Sequence, residues 1–187
     1  LQETVARLRS PGGCPWDREQ THESLRPGLL EEAYEAVSAI DRGDLRDLQE
    51  ELGDLLLQIV LQTQIAAEGG AFKMPDVIRG IDVKLKYRHP HVWGELAVAD
   101  TGEVLENWEA LKRAEKAERE SILDGVPPAL PALQQAYTYG ERVARVGFDW
   151  ADVAGAKAKV REEVEELEEA SSRQRQEAEL GDLLFAV

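Results

Sequence analysis

An all-α fold is the expectation for this sequence, and three observations carry it. Apolar residues recur at helical spacing along most of the chain, and no stretch alternates long enough to make a strand. Pro27, Pro75 and Pro131 open periodic runs, while Gly43 and the pair Gly69 and Gly70 close two of them.

The first run extends from Pro27 to Ile40 and puts Leu30, Ala33, Tyr34, Val37 and Ile40 on one face. Asp41, Arg42 and Gly43 end it, and Asp44 is placed to cap a longer helix from Leu45 to about Ala67. So short a connection makes the two helices antiparallel neighbours. Pro75 opens a third helix that reaches Arg88, where "HPH" stops it. Residues 94–101 read as a loop, and Glu103 to Glu118 as an exposed, highly charged helix. "LDGVPPALP", residues 123–131, is a linker. Beyond it come a helix from Pro131 to Val146, the stretch "GFDW", and two further helical runs, "KVREEVEELEEA" and "EAELGDLLF".

Those last runs repeat earlier ones. "ELGDLL" occurs at 51–56 and again at 179–184, and Glu162, Glu163 and Glu166 reproduce the spacing of Glu31, Glu32 and Glu35. Two matched words in the same order indicate an internal duplication. The expected organisation is a first domain over 1–95, a charged helix and linker over 96–128, and a second domain over 129–187. The chain stops within an apolar helical run, so the second domain is expected to be incomplete at its C-terminal end.

The 187 residues carry 37 acidic against 22 basic side chains, a formal net charge of −15. Such a surface repels nucleic-acid backbone and anionic lipid, so neither a nucleic-acid polymer nor a membrane is expected as a partner. The composition, 43% hydrophobic and 32% charged, is that of a globular protein. One cysteine, Cys14, excludes an intrachain disulfide framework and suits a reducing compartment. No apolar run of about 18 residues is present, and "LQETVARLRS" has no signal-peptide core, so the expected location is the cytoplasm.

Why the acids gather on two consecutive helices is the question that bears on function. Glutamate is a good helix former, and most helical glutamates face water. Glu31, Glu32 and Glu35 do point away from the Leu30, Tyr34 and Val37 stripe. The following helix argues the other way. Leu57 and Leu61 stand three and seven residues beyond Asp54, although Leu48, Leu52, Leu55 and Ile59 already form a core stripe. Phe185 likewise stands three residues after Asp182. If Glu32, Glu35, Glu51 and Asp54 faced one another at ~6 Å, each pair would repel by roughly 2–3 kcal/mol at an effective dielectric of ~20. The cluster must splay, take up protons or hold a multivalent cation. Ligands that are all oxygen favour Mg²⁺ or Mn²⁺ over zinc. A di-iron bundle needs Glu-x-x-His, and His22, His89 and His91 fall outside both acidic motifs. No GxxxxGK[ST] loop is present.

"EEAYE" followed by "EELGD", with "GGCPWDREQTHESL" before and "RHPHVWG" after, resembles the MazG family of nucleoside triphosphate pyrophosphohydrolases. "LDGVP", "VGFDW" and "EAELGDLLF" resemble the second half of its tandem-domain members. The resemblance implies helical hairpins that pair into four-helix-bundle-type cores, completed by homodimerisation. It also implies Mg²⁺-dependent hydrolysis of a nucleoside triphosphate to the monophosphate and pyrophosphate, by water attack at the α-phosphorus. By position, it makes Glu32, Glu35, Glu51 and Asp54 metal ligands in the first half and Glu163, Glu166, Glu179 and Asp182 in the second. Glu31, Glu50 and Glu162 would support them or orient water as catalytic bases. The position of Glu50 is Ala178 in the second half.

Lys84 and Arg88 share a face of the third helix and could grip phosphate oxygens, while Trp16, Phe148 and Trp150 could stack on a base. Two other functions remain open at this stage. One is a helical scaffold dimer that binds a protein through its charged helix, and the other is a related all-α pyrophosphatase restricted to one nucleotide such as dUTP. A scaffold has no reason to repeat Glu-x-x-Glu and Glu-x-x-Asp twice.

Overall fold

The computed structural model describes residues 1–115 and 121–187. Every regular element among them is a helix, and the chain divides into two compact units, Leu1–Leu111 and Lys112–Val187.

In the first unit, α1 (Gln2–Arg9) and α2 (Pro15–Glu19) precede the long hairpin of α3 (Arg26–Arg42) and α4 (Leu45–Glu68). The reversal between these two helices needs only Gly43 and Asp44. Gly43 adopts a left-handed conformation, φ +68°, and donates its N–H to Ile40, while the Asp44 N–H reaches Ala39. That pair of bonds is a Schellman motif, which a residue without a Cβ forms without strain. The Asp44 side chain then accepts from the N–H groups of Arg46 and Asp47, each at 3.1 Å, and so caps α4. One turn thus closes the first helix and opens the second, which fixes their antiparallel register.

The core lies at the end of α4 away from this turn, where Val5, Leu25, Val60 and Leu61 are buried and Leu57, Ile65 and Met74 pack around them. The line that begins at Asp54 therefore runs through Leu57 and Leu61 into the core, as its spacing predicts. Arg9 pins the N-terminal segment to the same end. Its side chain, only 6% exposed, pairs with Glu68 at 2.8 Å and donates to the carbonyls of Asp17 and Gln20. After α5 (Met74–Arg88) come the short α6 (Pro90–Trp93) and α7 (Thr101–Ala114). The last part of the charged helix expected to reach Glu118, residues 116–118, lies outside the described residues.

One expectation is corrected. The stripe of Leu30, Tyr34, Val37 and Ile40 is more than half exposed, and Leu52 and Ile59 of α4 are exposed as well. The residues of α3 that are buried are the small Ala36 and Ala39. A hairpin has two broad faces, and among the described residues of the first unit α1 and α5 cover only part of one.

The second unit holds α8 (Ala132–Ala144), α9 (Val153–Glu169) and α10 (Arg173–Ala186). Asp152 caps α9 through the N–H groups of Ala154 and Gly155, and Ser172 caps α10 through that of Arg175. The two capped helices form this unit's main packed pair, with α8 against α10.

Candidate metal centre

The α3–α4 hairpin brings Glu32 and Glu35, three residues apart on one helix, to Glu51 on the other. One carboxylate oxygen from each lies within 4.8 Å of the other two. Glu35 stands eight residues before Gly43 and Glu51 seven residues after Asp44, so the tight turn itself places them opposite each other. The pKa of Glu32 is raised, first by burial and then by the charge of Asp54, with Glu35 and Glu31 adding to it and hydrogen bonding from Gln58 opposing it. Glu51 is raised by burial, then by Glu35, Asp47, Glu32 and Asp54. Asp54 is half-buried and acts on both, but it is not one of the three converging residues.

The second unit repeats the arrangement with Glu163 and Glu166 on α9 and Glu179 on α10, again within 4.8 Å. Glu51 follows Glu35 by 16 residues, whereas Glu179 follows Glu166 by 13. Three residues are nearly one helical turn, so the shorter connection keeps the same faces together. Asp182 is exposed and does not join the group. Glu166 is raised by burial and then by Glu179 and Glu163, with Lys159 opposing.

Cations distinguish this group from the first. Lys159 Nζ lies 2.6 Å from Glu163 and 2.9 Å from Glu162, and these two bonds hold its pKa well above the ordinary lysine value. Arg175 Nε pairs with Glu179 at 3.3 Å. The corresponding positions in the first half, four residues before Glu32 and before Glu51, are Gly28 and Asp47.

Both groups fit a hard divalent cation. The donors are all carboxylate oxygens, from two helices whose packing fixes their spacing. Glu163 is 4% exposed, and its Oε2 is buried with no hydrogen-bond partner even though Oε1 is held by Lys159. A buried acceptor left open beside two further carboxylates is the chemistry of an ion site.

Glu31, Glu50 and Glu162 are exposed beside the groups. Lys84 is exposed on α5, whereas Arg88 is 8% exposed, with its guanidinium 5.4 Å from the centre of the Trp108 ring on α7. Trp16 is exposed on α2, as are Phe148 and Trp150 ahead of α9, where Trp150 lies against Gly155.

Residues 20–93 match the model of the MazG nucleotide pyrophosphohydrolase domain. The whole chain is 47% identical to the nucleoside triphosphate pyrophosphohydrolase/pyrophosphatase MazG of Thermotoga maritima, over 188 residues and 72% of that protein. The chain belongs to the MazG family. It is also 44% identical to the nucleoside triphosphate pyrophosphohydrolase of Escherichia coli K12, over its full length and 74% of that protein. A protein of the same name from Mycobacterium tuberculosis is 41% identical over 76% of this chain and 43% of its own length.

In this MazG chain each acidic group brings together three of the four residues expected to hold a metal, without Asp54 or Asp182, and Lys159 and Arg175 stand beside the second group outside that expectation. Each stands one turn before an acid of the group, and that i, i+4 pattern was available to find them. Their contacts also mean that the second group has basic partners within its own two helices.

Proposed function

We propose that the chain hydrolyses nucleoside triphosphates to nucleoside monophosphate and pyrophosphate with Mg²⁺, for which Mn²⁺ can substitute. The observation that carries the reading is the repeated convergence of three carboxylates on a helical hairpin, with Glu163 Oε2 buried and open. The names of the T. maritima and E. coli relatives support the reaction.

Glu32, Glu35 and Glu51 would hold the ion in the first half, with Asp54 one turn further along α4. Glu163, Glu166 and Glu179 would do so in the second, with Asp182. An ion bound there supplies positive charge that neutralises the triphosphate and makes the α-phosphorus more electrophilic. Glu31, Glu50 and Glu162, exposed beside the groups, orient the attacking water and accept its proton. Lys159 and Arg175 stand ready to bind phosphate oxygens once their carboxylates are engaged elsewhere, which gives the second half both signs of charge. Lys84, Trp16, Phe148 and Trp150 are exposed for contacts to substrate, and Arg88, beside the Trp108 ring, would grip phosphate oxygens with Lys84.

The exposed stripe of Leu30, Tyr34, Val37 and Ile40 is the face that a second copy covers in a homodimer, completing a four-helix core. The domain limits 1–95, 96–128 and 129–187 belong to the same reading. No helix among the described residues is long and apolar enough to cross a membrane, and the free Cys14 suits the cytoplasm.

The test is product analysis in ¹⁸O-labelled water with a panel of nucleoside triphosphates. Label in the monophosphate and unlabelled pyrophosphate are expected. Nucleoside diphosphate and orthophosphate as the primary products would overturn the assignment.

A further inference from the structure

Glu32 and Glu163 occupy matching places in the two acidic groups, but different donors attend them. In the second half the donor is Lys159, one turn earlier on the same helix. In the first half that place is Gly28, and the space beside it is filled from the opposite helix. A Cβ at residue 28 would stand 2.8 Å from Gln58 Nε2, closer than a side chain tolerates. Gln58 lies seven residues after Glu51, and the residue seven after Glu179 is Ala186, so the large and small positions are exchanged between the halves.

We infer that Gln58 is a positioning residue for Glu32, seated by the missing side chain of Gly28, in the role that Lys159 has beside Glu163. The Gln58 amide is directed inward, because its Oε1 is buried without a partner while Nε2 lies over Gly28. The amide thus lies in the first half where the Lys159 ammonium lies in the second, one turn before the glutamate and on the side toward which a helical side chain leans, where it can donate to the Glu32 carboxylate. A neutral donor does this without adding a cation to a site meant for one, so the first half keeps its full negative charge. The matched exchange of Gly28 with Lys159 and of Gln58 with Ala186 follows from this, since a lysine at 28 and a glutamine at 58 would compete for one space.

The inference rests on the metal-binding reading, and the experiment separates the two. In the full chain with Glu166→Gln and Glu179→Gln silencing the second group, Mn²⁺ binding is followed by the electron paramagnetic resonance of free Mn²⁺. Gln58→Met, which keeps the volume and removes the donor, weakens binding about tenfold, as loss of a ligand-orienting hydrogen bond does. Gly28→Ala produces the same loss by displacing an intact amide. In chelator, Gln58→Met melts lower than its parent, and Gly28→Lys with Gln58→Met recovers the difference by rebuilding the second half's pair. Unchanged binding in both Gln58→Met and Gly28→Ala, while Glu35→Gln weakens it, would overturn the inference and leave the metal site standing. Loss in Gln58→Met with none in Gly28→Ala would overturn the seating by Gly28. If Glu35→Gln also binds as the parent does, the metal reading falls and this inference falls with it.

Discussion

Lys159 places its ammonium 2.6 Å from a Glu163 carboxylate that is 4% exposed, so one half of the duplicated site carries its own counter-charge. Removing one member of such a pair leaves a buried charge uncompensated. Lys159→Met is therefore expected to lower the melting temperature in chelator by a few degrees, and excess Mg²⁺ should restore most of the loss by taking over neutralisation. Differential scanning fluorimetry with and without Mg²⁺ measures both. A melting temperature that the substitution leaves unchanged would contradict the role given to the pair.

The same cations lead to an expected difference in catalysis between the halves. Glu35→Gln with Asp54→Asn removes two charges from the first group, and Glu166→Gln with Asp182→Asn removes two from the second. Only the second has Lys159 and Arg175 beside its acids. The second double variant is expected to lose the larger share of pyrophosphate release, on the order of a hundredfold, with its fold intact by circular dichroism. Retention of full activity by that variant, with loss in the other, would assign turnover to the first half.

Arg9 and Glu68 give a pH-dependent contribution away from either acidic group. The hydrogen bond from Arg9 holds the Glu68 carboxyl below the ordinary 4.5, with a further contribution from Gln64. A depressed carboxylate stabilises the fold above its unfolded value and loses that contribution as pH falls through the lower folded value. Glu68→Gln should cost about 1 kcal/mol at neutral pH, a modest figure because the carboxyl is partly in water. Urea titrations at several pH values should show the gap from wild type closing below about pH 4.5. A gap that widens as pH falls would contradict the assignment.

How far the sequence could be read depends on which interactions are local. Asp44 as a cap and Gly43 as a stop are chemistry within a few residues, and the α3–α4 hairpin follows from them. The convergence of Glu32, Glu35 and Glu51 follows in turn from the register of that hairpin. Arg9 meets Glu68 across 59 residues of sequence, so no periodicity announces it. α1, α2 and α6 have at most eight residues each, too short for a periodic signal to identify. Asp54 and Asp182 carry the right spacing, yet the side chains that converge are decided by packing within each hairpin. The exposed stripe on α3 shows the remaining gap: periodicity reveals an apolar face without saying which chain covers it.

That face supplies the last prediction. Leu30, Tyr34, Val37 and Ile40 follow one side of α3, and Leu52 and Ile59 add exposed apolar surface on α4. A contiguous apolar face of this kind marks an interaction site, which the proposed homodimer would cover. In a two-fold symmetric dimer every substitution is counted twice, once from each protomer. Burying a side chain the size of isoleucine stabilises by about 2 kcal/mol, so Ile40→Glu would cost the dimer about 4 kcal/mol or more, roughly a thousandfold in its dissociation constant. Sedimentation velocity over a concentration series would show wild type as a dimer and Ile40→Glu shifted to monomer. Asp41→Ala, one residue along and off the stripe, should remain dimeric. A wild-type chain that is monomeric at micromolar concentration, or an Ile40→Glu variant that associates as tightly as wild type, would remove this face from the interface.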